Sequence, residues 1–150
     1  MKEKKSFQFF TLSIEENNTA WIEFDLQSEK VNKITTAVIA ELSLIISELS
    51  TIYSLKAIFF TSGKPGMFIA GADIRELEAI TSPAIGEQKC YTGHKVLNMM
   101  EQLEIPTVAV IDGACLGGGM ELALACTYRV GTDNPKTKLG QPEVQLGIIP

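Results

Sequence analysis

Two glutamates lie in stretches whose other residues predict buried or tightly turned backbone. Glu121 lies in Gly113–Cys126, GACLGGGMELALAC, where three consecutive glycines precede an almost entirely apolar run. Glu143 lies beside a proline in GQPEVQLG. Apolar surroundings raise the pKa of a carboxyl group towards the range in which it exchanges protons near neutral pH. Glu121 therefore favours a role in acid–base chemistry, whereas Glu143 taken alone is more typical of a paired or surface residue.

The glycines before Glu121 favour a site for a developing negative charge. Gly113 and Gly117–Gly119 match neither the GxGxxG pattern nor the Walker pattern of phosphate-binding loops. Close packing of a helix end on a sheet explains one or two of them, but three less readily. Glycines at a strand-to-helix turn leave backbone N–H groups free to bind an oxyanion. The loop Ala70–Asp73, AGAD, has the same small-residue character, so one N–H from each loop would give a two-donor oxyanion hole.

Composition argues against several other kinds of site. The three cysteines lack CxxC spacing and the chain has one histidine, His94. This predicts free thiols, no metal site and no Ser/His/Asp triad. The net charge of −5 argues against nucleic acid as a partner. Lysines 2, 4 and 5 are interrupted by Glu3, which is typical of a solvated tail.

Targeting signals are not evident in the sequence. No apolar run reaches the roughly 18 residues that predict a transmembrane helix. The N-terminal residues MKEKKSFQFF resemble neither a signal peptide nor a transit peptide. We expect a cytoplasmic protein, or one of the mitochondrial matrix if the source is eukaryotic.

Hydrophobic periodicity predicts strands that alternate with helices. Residues 7–14 and 20–26 predict a hairpin joined by the turn residues EENN, and residues 35–53 predict a helix with its apolar stripe on Val38, Leu42, Ile45, Leu49 and Ile52. Further along, the pattern predicts strands at 56–61, 107–111 and 128–132, a helix at 85–103 and a loop at 138–150.

The order of these elements is typical of an α/β domain with crossover units. The strand at 107–111, TVAVI, is apolar throughout and is predicted to be buried on both faces. The helix that follows Gly119 is predicted to be buried all round. Because ligands bind at strand ends where loops lead into helices, residues 69–74 and 113–121 are the candidate site.

At these residues the sequence resembles the enoyl-CoA hydratase/isomerase (crotonase) family. The motifs that carry the resemblance are AWIEFDLQSEKVN, SGKPGMFIAGADIREL, IPTVAVIDGACLGGGMELALAC and LGQPEVQLGIIP, which together cover nearly the whole chain. The resemblance implies a ClpP/crotonase-like spiral of ββα units. Within the family, KTKLGQPEVQLGIIP and the preceding TDNP are similar to the N-terminal hydratase part of multifunctional α-subunits of fatty acid oxidation complexes.

That resemblance implies that residues 1–150 are the N-terminal core of a hydratase/isomerase domain. We expect the fold to be incomplete at its C-terminus, without the family's C-terminal helices or a dehydrogenase domain. It also implies roles for individual residues. Glu121 matches the carboxylate that activates water, and Glu143 the one that exchanges a proton with the α-carbon. Backbone N–H groups of Ala72 and Gly118 match the oxyanion hole, and the predicted substrate contacts are Ala70, Gly71, Asp73, Ile74 and Gly117.

The reaction implied is syn addition of water to a 2-trans-enoyl-CoA, which gives a 3-hydroxyacyl-CoA. Glu143 alone could support Δ3-Δ2 isomerisation. Hydration needs no cofactor beyond the CoA of the substrate, and NAD would be used only by a downstream dehydrogenase domain. The expected partners are the acyl-CoA, further copies of the chain and a thiolase β-subunit. Another crotonase-type reaction and a non-catalytic acyl-CoA-binding module remain as alternatives.

Overall fold

A computed structural model describes residues 3–149. Within that range the chain forms four helices, nine strands and one short 3₁₀ turn, Pro142–Gln145. The helices are α1 (Thr36–Leu49), α2 (Ile74–Glu78), α3 (Pro83–Glu101) and α4 (Gly118–Ala125). The strands are β1 (Glu3–Ser6), β2 (Phe10–Ile14), β3 (Thr19–Phe24), β4 (Ala57–Ser62), β5 (Met67–Ile69), β6 (Thr107–Ile111), β7 (Ala114–Leu116), β8 (Tyr128–Gly131) and β9 (Lys138–Gly140).

The strands form two sheets that are built from repeated units. The larger sheet has the order β1-β2-β3-β4-β6-β8, antiparallel from β1 to β3 and parallel from β3 to β8. The smaller sheet has the order β5-β7-β9 and is parallel throughout. Each unit places one strand in the larger sheet, the next in the smaller sheet, and then a helix, as in β6-β7-α4. The predicted α/β spiral of ββα units is confirmed.

Helix α1 supplies one wall of the core. Its predicted apolar stripe is buried at Val38, Leu42, Ile45 and Leu49. The Thr35 side chain caps the first turn by accepting a hydrogen bond from the Val38 N–H, 3.2 Å. The helix ends at Leu49, earlier than predicted, so Ile52 lies in the following turn and is only partly buried.

Strand β6 and helix α4 are less enclosed than the sequence predicts. On β6, Val108 and Val110 are only partly buried, whereas Thr107, Ala109 and Ile111 are buried. On α4, Leu124 is 53% exposed. Both predictions of complete burial were therefore wrong on one face, since an apolar composition does not by itself say which faces are covered.

Both ends of the described chain are more regular than predicted. Residues Glu3–Ser6 pair with β2 as an antiparallel strand, although their side chains remain exposed; Lys5 forms an ion pair with Glu48, 2.5 Å. Lys2 lies outside the described residues. The predicted loop at 138–150 contains β9, whose pairing with β7 brings the segment that carries Glu143 to the site.

Gly119 allows α4 to pack directly on β5. A Cβ built at Gly119 would lie 2.6 Å from Ile69 Cβ and 2.7 Å from the Ile69 carbonyl oxygen. Gly119→Ala should therefore lower the free energy of unfolding by about 1–3 kcal/mol, because backbone or core atoms would have to move.

Gly93→Ala in α3 is the matched control for that substitution. Its Cβ would meet no atom within 4 Å, so the better helix propensity of alanine should raise stability by up to about 1 kcal/mol. Urea unfolding of both variants measures the two effects. A Gly119→Ala variant as stable as Gly93→Ala would contradict the close packing.

Candidate active site

The two glycine loops meet at one edge of the smaller sheet. Strands β5 and β7 run parallel, so their carboxyl ends lie side by side. The loop Ala70–Asp73 follows β5, and Gly117 follows β7 and is the N-cap of α4. A Cβ built at Gly117 would lie 3.5 Å from Gly71 Cα. The topology thus brings together the two segments that the sequence predicts as the site.

The Ala72 N–H is directed towards the start of α4. Ala72 forms an isolated parallel bridge with Ile34, in which the Ile34 N–H donates to the Gly71 carbonyl, 2.8 Å, and the Asp73 N–H donates to the Ile34 carbonyl, 3.0 Å. In such a bridge the polar groups of the central residue face the opposite side. On that side lies Gly118, where a Cβ would be 3.9 Å from the Ala72 nitrogen.

The start of α4 presents unpaired backbone donors at the same place. Gly117 is the N-cap, with φ 50° and ψ −126°, a conformation that L side chains disfavour, and no side chain caps the helix. The Gly117 N–H donates to the Gly140 carbonyl, 3.0 Å. Gly118 is the first helical residue, whose N–H has no intrahelical acceptor. This N–H and the helix dipole favour negative charge beside Ala72.

Glu121 lies one turn further along α4, with its side chain turned towards these donors. Its Oε2 is 3.5 Å from the position of a Cβ on Gly118, and the residue is partly buried. Burial raises the pKa of the Glu121 carboxyl, the negative charge of Glu143 raises it further, and His94 lowers it in part. The environment predicted from the apolar sequence around Glu121 is therefore present.

Glu143 reaches the site from the 3₁₀ turn that follows β9. Its Oε1 lies against Gly117, so that any Cβ at that position would collide with it. Its Oε2 is buried and has no hydrogen-bond partner among residues 3–149. Buried polar atoms nearly always have a partner, so an unpaired carboxylate oxygen indicates a place for a ligand or water. The two predicted carboxylates thus lie next to adjacent residues, Glu143 beside Gly117 and Glu121 beside Gly118.

The remaining predicted substrate contacts lie in the loop after β5 and at Gly117. The Ala70 N–H donates to the Asn32 carbonyl, 2.9 Å, and Ile74, the first residue of α2, is 55% exposed. The Asp73 side chain is buried and forms ion pairs with Lys33 and Arg75, both 3.0 Å. Contact between these residues and a substrate stays a prediction. Within residues 3–149, no group of three or more His, Cys, Asp or Glu side chains could hold a metal ion.

Comparison with known proteins identifies the family. The model of the enoyl-CoA hydratase/isomerase family matches residues 15–150. The chain belongs to this family. It is 45% identical over 150 residues to the fatty acid oxidation complex subunit alpha of Vibrio campbellii, and 43% identical over 141 residues to the protein of that name from Idiomarina loihiensis.

Solved structures of hydratase/isomerase family members share the fold. The enoyl-CoA hydratase of Geobacillus kaustophilus superposes with a TM-score of 0.90 at 28% identity over 98% of this chain. The enoyl-CoA hydratase of Bacillus anthracis superposes with a TM-score of 0.86 at 27% identity over 95% of it. The chain spans 54% of each of those structures and 21% of the Vibrio campbellii relative. The crotonase-like fold predicted from the sequence is confirmed.

Two features of this hydratase/isomerase site escaped the sequence analysis. The sequence does not favour His94 as a metal ligand or as part of a catalytic triad. In the structure it lies on α3 and acts electrostatically on Glu121. The segment Asn32–Ile34 supports the loop after β5 through three backbone hydrogen bonds. The only signal for that segment was the similarity of AWIEFDLQSEKVN to the family.

None of the helices described between residues 3 and 149 combines the length and apolar character needed to cross a bilayer.

The titration of Glu121 gives a direct test of these electrostatics. By carboxyl ¹³C NMR, its midpoint should lie above that of an ordinary glutamate. Glu143→Gln removes a negative charge and should lower the midpoint, whereas His94→Gln removes a positive charge and should raise it. A midpoint that neither substitution moves would show that these charges do not act on Glu121.

The raised pKa of Glu121 also makes the stability of the folded protein depend on pH. Because the pKa of Glu121 is raised in the folded state, the folded protein holds this proton more tightly than the unfolded chain. The resulting stabilisation is complete below the unfolded pKa and is lost as the pH rises through the folded pKa.

Proposed function

We propose that the protein carrying this chain is an enoyl-CoA hydratase that adds water to a 2-trans-enoyl-CoA. The observation that carries the proposal is the juxtaposition of two carboxyl groups and two backbone donors around Gly117 and Gly118. The Glu121 carboxyl lies near Gly118 and the Ala72 nitrogen, while the Glu143 carboxyl lies against Gly117. A conjugate addition to a thioester needs this set of groups.

The proposed chemistry assigns one task to each group. The Glu121 carboxylate accepts a proton from water as the water oxygen forms a bond to the β-carbon. The π electrons move to the thioester, and its oxygen gains negative charge that the N–H groups of Ala72 and Gly118 stabilise. Protonated Glu143 donates a proton to the α-carbon, which completes the 3-hydroxyacyl-CoA. Transfer of one proton from Glu121 to Glu143 restores the starting state.

The two carboxyl groups of the site are electrostatically coupled. The charge of Glu143 raises the pKa of Glu121, so the two carboxyl groups interact. Like-charged carboxyl groups at close range favour a state in which they share one proton. One ionised and one protonated carboxyl is the state that hydration requires.

Isomerisation of a Δ3-enoyl-CoA needs only one carboxyl group to move a proton between carbons. The presence of Glu121 beside the backbone donors favours hydration as the main activity. By likeness to relatives named fatty acid oxidation complex subunit alpha, we propose fatty acid β-oxidation as the pathway, with a thiolase subunit and further copies of the chain as partners. The absence of a cofactor requirement, NAD use by any dehydrogenase domain and a cytoplasmic location stay predictions.

Two measurements test the proposal: the loss of the ultraviolet absorbance of the enoyl thioester, and the mass of the product. The protein carrying this chain is incubated with crotonyl-CoA in H₂¹⁸O, and the product is analysed by mass spectrometry. We expect 3-hydroxybutyryl-CoA with ¹⁸O on the β-carbon. Release of free CoA with ¹⁸O in a carboxylate would instead identify thioester hydrolysis, and unchanged crotonyl-CoA would contradict catalysis of hydration.

A further inference from the structure

The loop that carries Ala72 is held along its length by a segment 38 positions earlier in the chain. The carbonyl oxygen of Asn32 accepts from the Ala70 N–H, 2.9 Å, and Ile34 makes two bonds, to Gly71 and Asp73. Neither segment belongs to a sheet, yet together they form a short parallel pair. The direction of the Ala72 N–H therefore depends on the position of residues 32–34.

Asn32 fixes this supporting segment to the larger sheet. Its side chain is completely buried. The side-chain oxygen accepts from the Leu26 N–H, 2.9 Å, and the side-chain nitrogen donates to the Phe24 carbonyl, 2.7 Å, and to Ser62 Oγ, 3.0 Å. Asn32 thereby joins the carboxyl ends of β3 and β4 and fixes residues 32–34 to the larger sheet.

Lys33 and Asp73 connect the supporting segment to the far end of the loop. Lys33 Nζ lies 3.0 Å from Asp73 Oδ2, and the two side chains are only 18% and 8% exposed. Asp73 also accepts from the Arg75 backbone N–H, 2.9 Å, and so caps α2. The charges are balanced within the group, because Glu29 forms ion pairs with both Lys33 and Arg75.

We propose that the Lys33–Asp73 ion pair is a positioning element that holds the Ala72 N–H in line with the Gly118 N–H. The Ala72 N–H belongs to the peptide that joins Gly71 to Ala72, and the carbonyl oxygen of that peptide accepts from the Ile34 N–H, 2.8 Å. Lys33 directly precedes Ile34, so its ion pair with Asp73 restrains the residue that holds this peptide. The pair acts through the backbone and touches no reacting atom. This inference rests on the proposed hydratase function of the site.

The placement of a backbone donor matters because its effect falls steeply with misalignment. A displacement of about 1 Å can cost on the order of 10²-fold in rate. Lys33 does not itself reach the oxyanion site, since its ammonium group is held between Glu29 and Asp73. Loss of the pair should therefore reduce the polarisation of the thioester carbonyl without removing a substrate contact.

Lys33→Met tests the pair, and Lys64→Met is its matched control. Lys64 is 16% exposed and forms an equivalent ion pair with Asp25, 2.6 Å, in the loop between β4 and β5. Lys33→Arg keeps the charge and is the rescue variant. The readouts on the protein carrying this chain are kcat and KM for crotonyl-CoA, and the red shift of the ultraviolet band of bound 2,4-hexadienoyl-CoA, which reports carbonyl polarisation at equilibrium.

We expect Lys33→Met to lower kcat by about tenfold or more, with KM unchanged within about twofold, and to reduce the red shift. Lys33→Arg should recover most of both, and Lys64→Met should match the unmodified protein. If Lys33→Met does not fold, Asp73→Asn replaces it, because the amide oxygen can still cap α2 while the charge is lost.

Two results would overturn the positioning role. A Lys33→Met variant that is less stable but retains kcat and the red shift would show a purely structural pair. A raised KM with unchanged kcat would show instead that Lys33 contacts the substrate. If the unmodified protein neither hydrates crotonyl-CoA nor shifts the dienoyl band, the proposed function itself fails, which is distinct from a failure confined to the variants.

Discussion

Glu121→Gln should lower kcat for crotonyl-CoA hydration by roughly 10²–10⁴-fold, the usual contribution of a general base. Glutamine has the same shape, so the packing of α4 should be retained, but its amide cannot accept a proton from water. The pKa of Glu121 is raised by its burial and by the charge of Glu143, which makes its carboxylate a stronger proton acceptor. Steady-state kinetics, with circular dichroism to confirm folding, measure the effect.

Glu101→Gln, at the exposed end of α3, controls for the loss of one negative charge and should leave kcat unchanged. Glu143→Gln should also lower kcat strongly. Because the two carboxyl groups act in one reaction, the double variant should lose little more than the worse single variant. Full turnover by Glu121→Gln would remove that residue from the mechanism.

Gly118→Pro should lower kcat by roughly 10²–10³-fold, the usual effect of losing one oxyanion-hole donor. Proline removes the N–H of residue 118 and nothing else that α4 requires. Gly118 is the first helical residue, where proline is well tolerated and where the N–H has no intrahelical acceptor. Kinetics with crotonyl-CoA and thermal unfolding together separate loss of the donor from loss of the fold.

Gly118→Ala is the control because it adds a Cβ and keeps the N–H. That Cβ would lie 3.1 Å from Ile34 Cδ1, a contact that the flexible end of the side chain can relieve. The alanine variant should therefore retain most of its activity. Equal losses in the proline and alanine variants would show that the added volume matters and that the Gly118 N–H does not.

Elements in which a periodic apolar pattern extends over many residues could be predicted from the sequence. Helix α1 and the hairpin β2–β3 follow from side chains that are buried on one face only. The smaller sheet could not be predicted in this way. Strands β5, β7 and β9 have three residues each, too few to show a period of two. Their pairing depends on the larger sheet that places them side by side.

The part of the candidate site whose residues lie close together in the sequence could be predicted. Glycines followed by Glu121 indicate a helix start, oxyanion donors and a carboxyl group with a raised pKa within one short stretch. The part contributed by Glu143 depended on family resemblance, because its approach to Gly117 is created by the β7–β9 pairing. The support from Lys33 could not be foreseen, since its contact with Asp73 joins residues that are distant in the sequence.

The most direct test of the proposed site is a crystal structure of the protein carrying this chain with acetoacetyl-CoA, a thioester that lacks the double bond needed for hydration. We predict that its thioester oxygen lies about 2.7–3.1 Å from the nitrogens of both Ala72 and Gly118. The α-carbon should face Glu143 and the β-carbon should face Glu121. A thioester oxygen that contacts neither nitrogen, or an acyl chain bound away from both carboxyl groups, would contradict the assignment of this site.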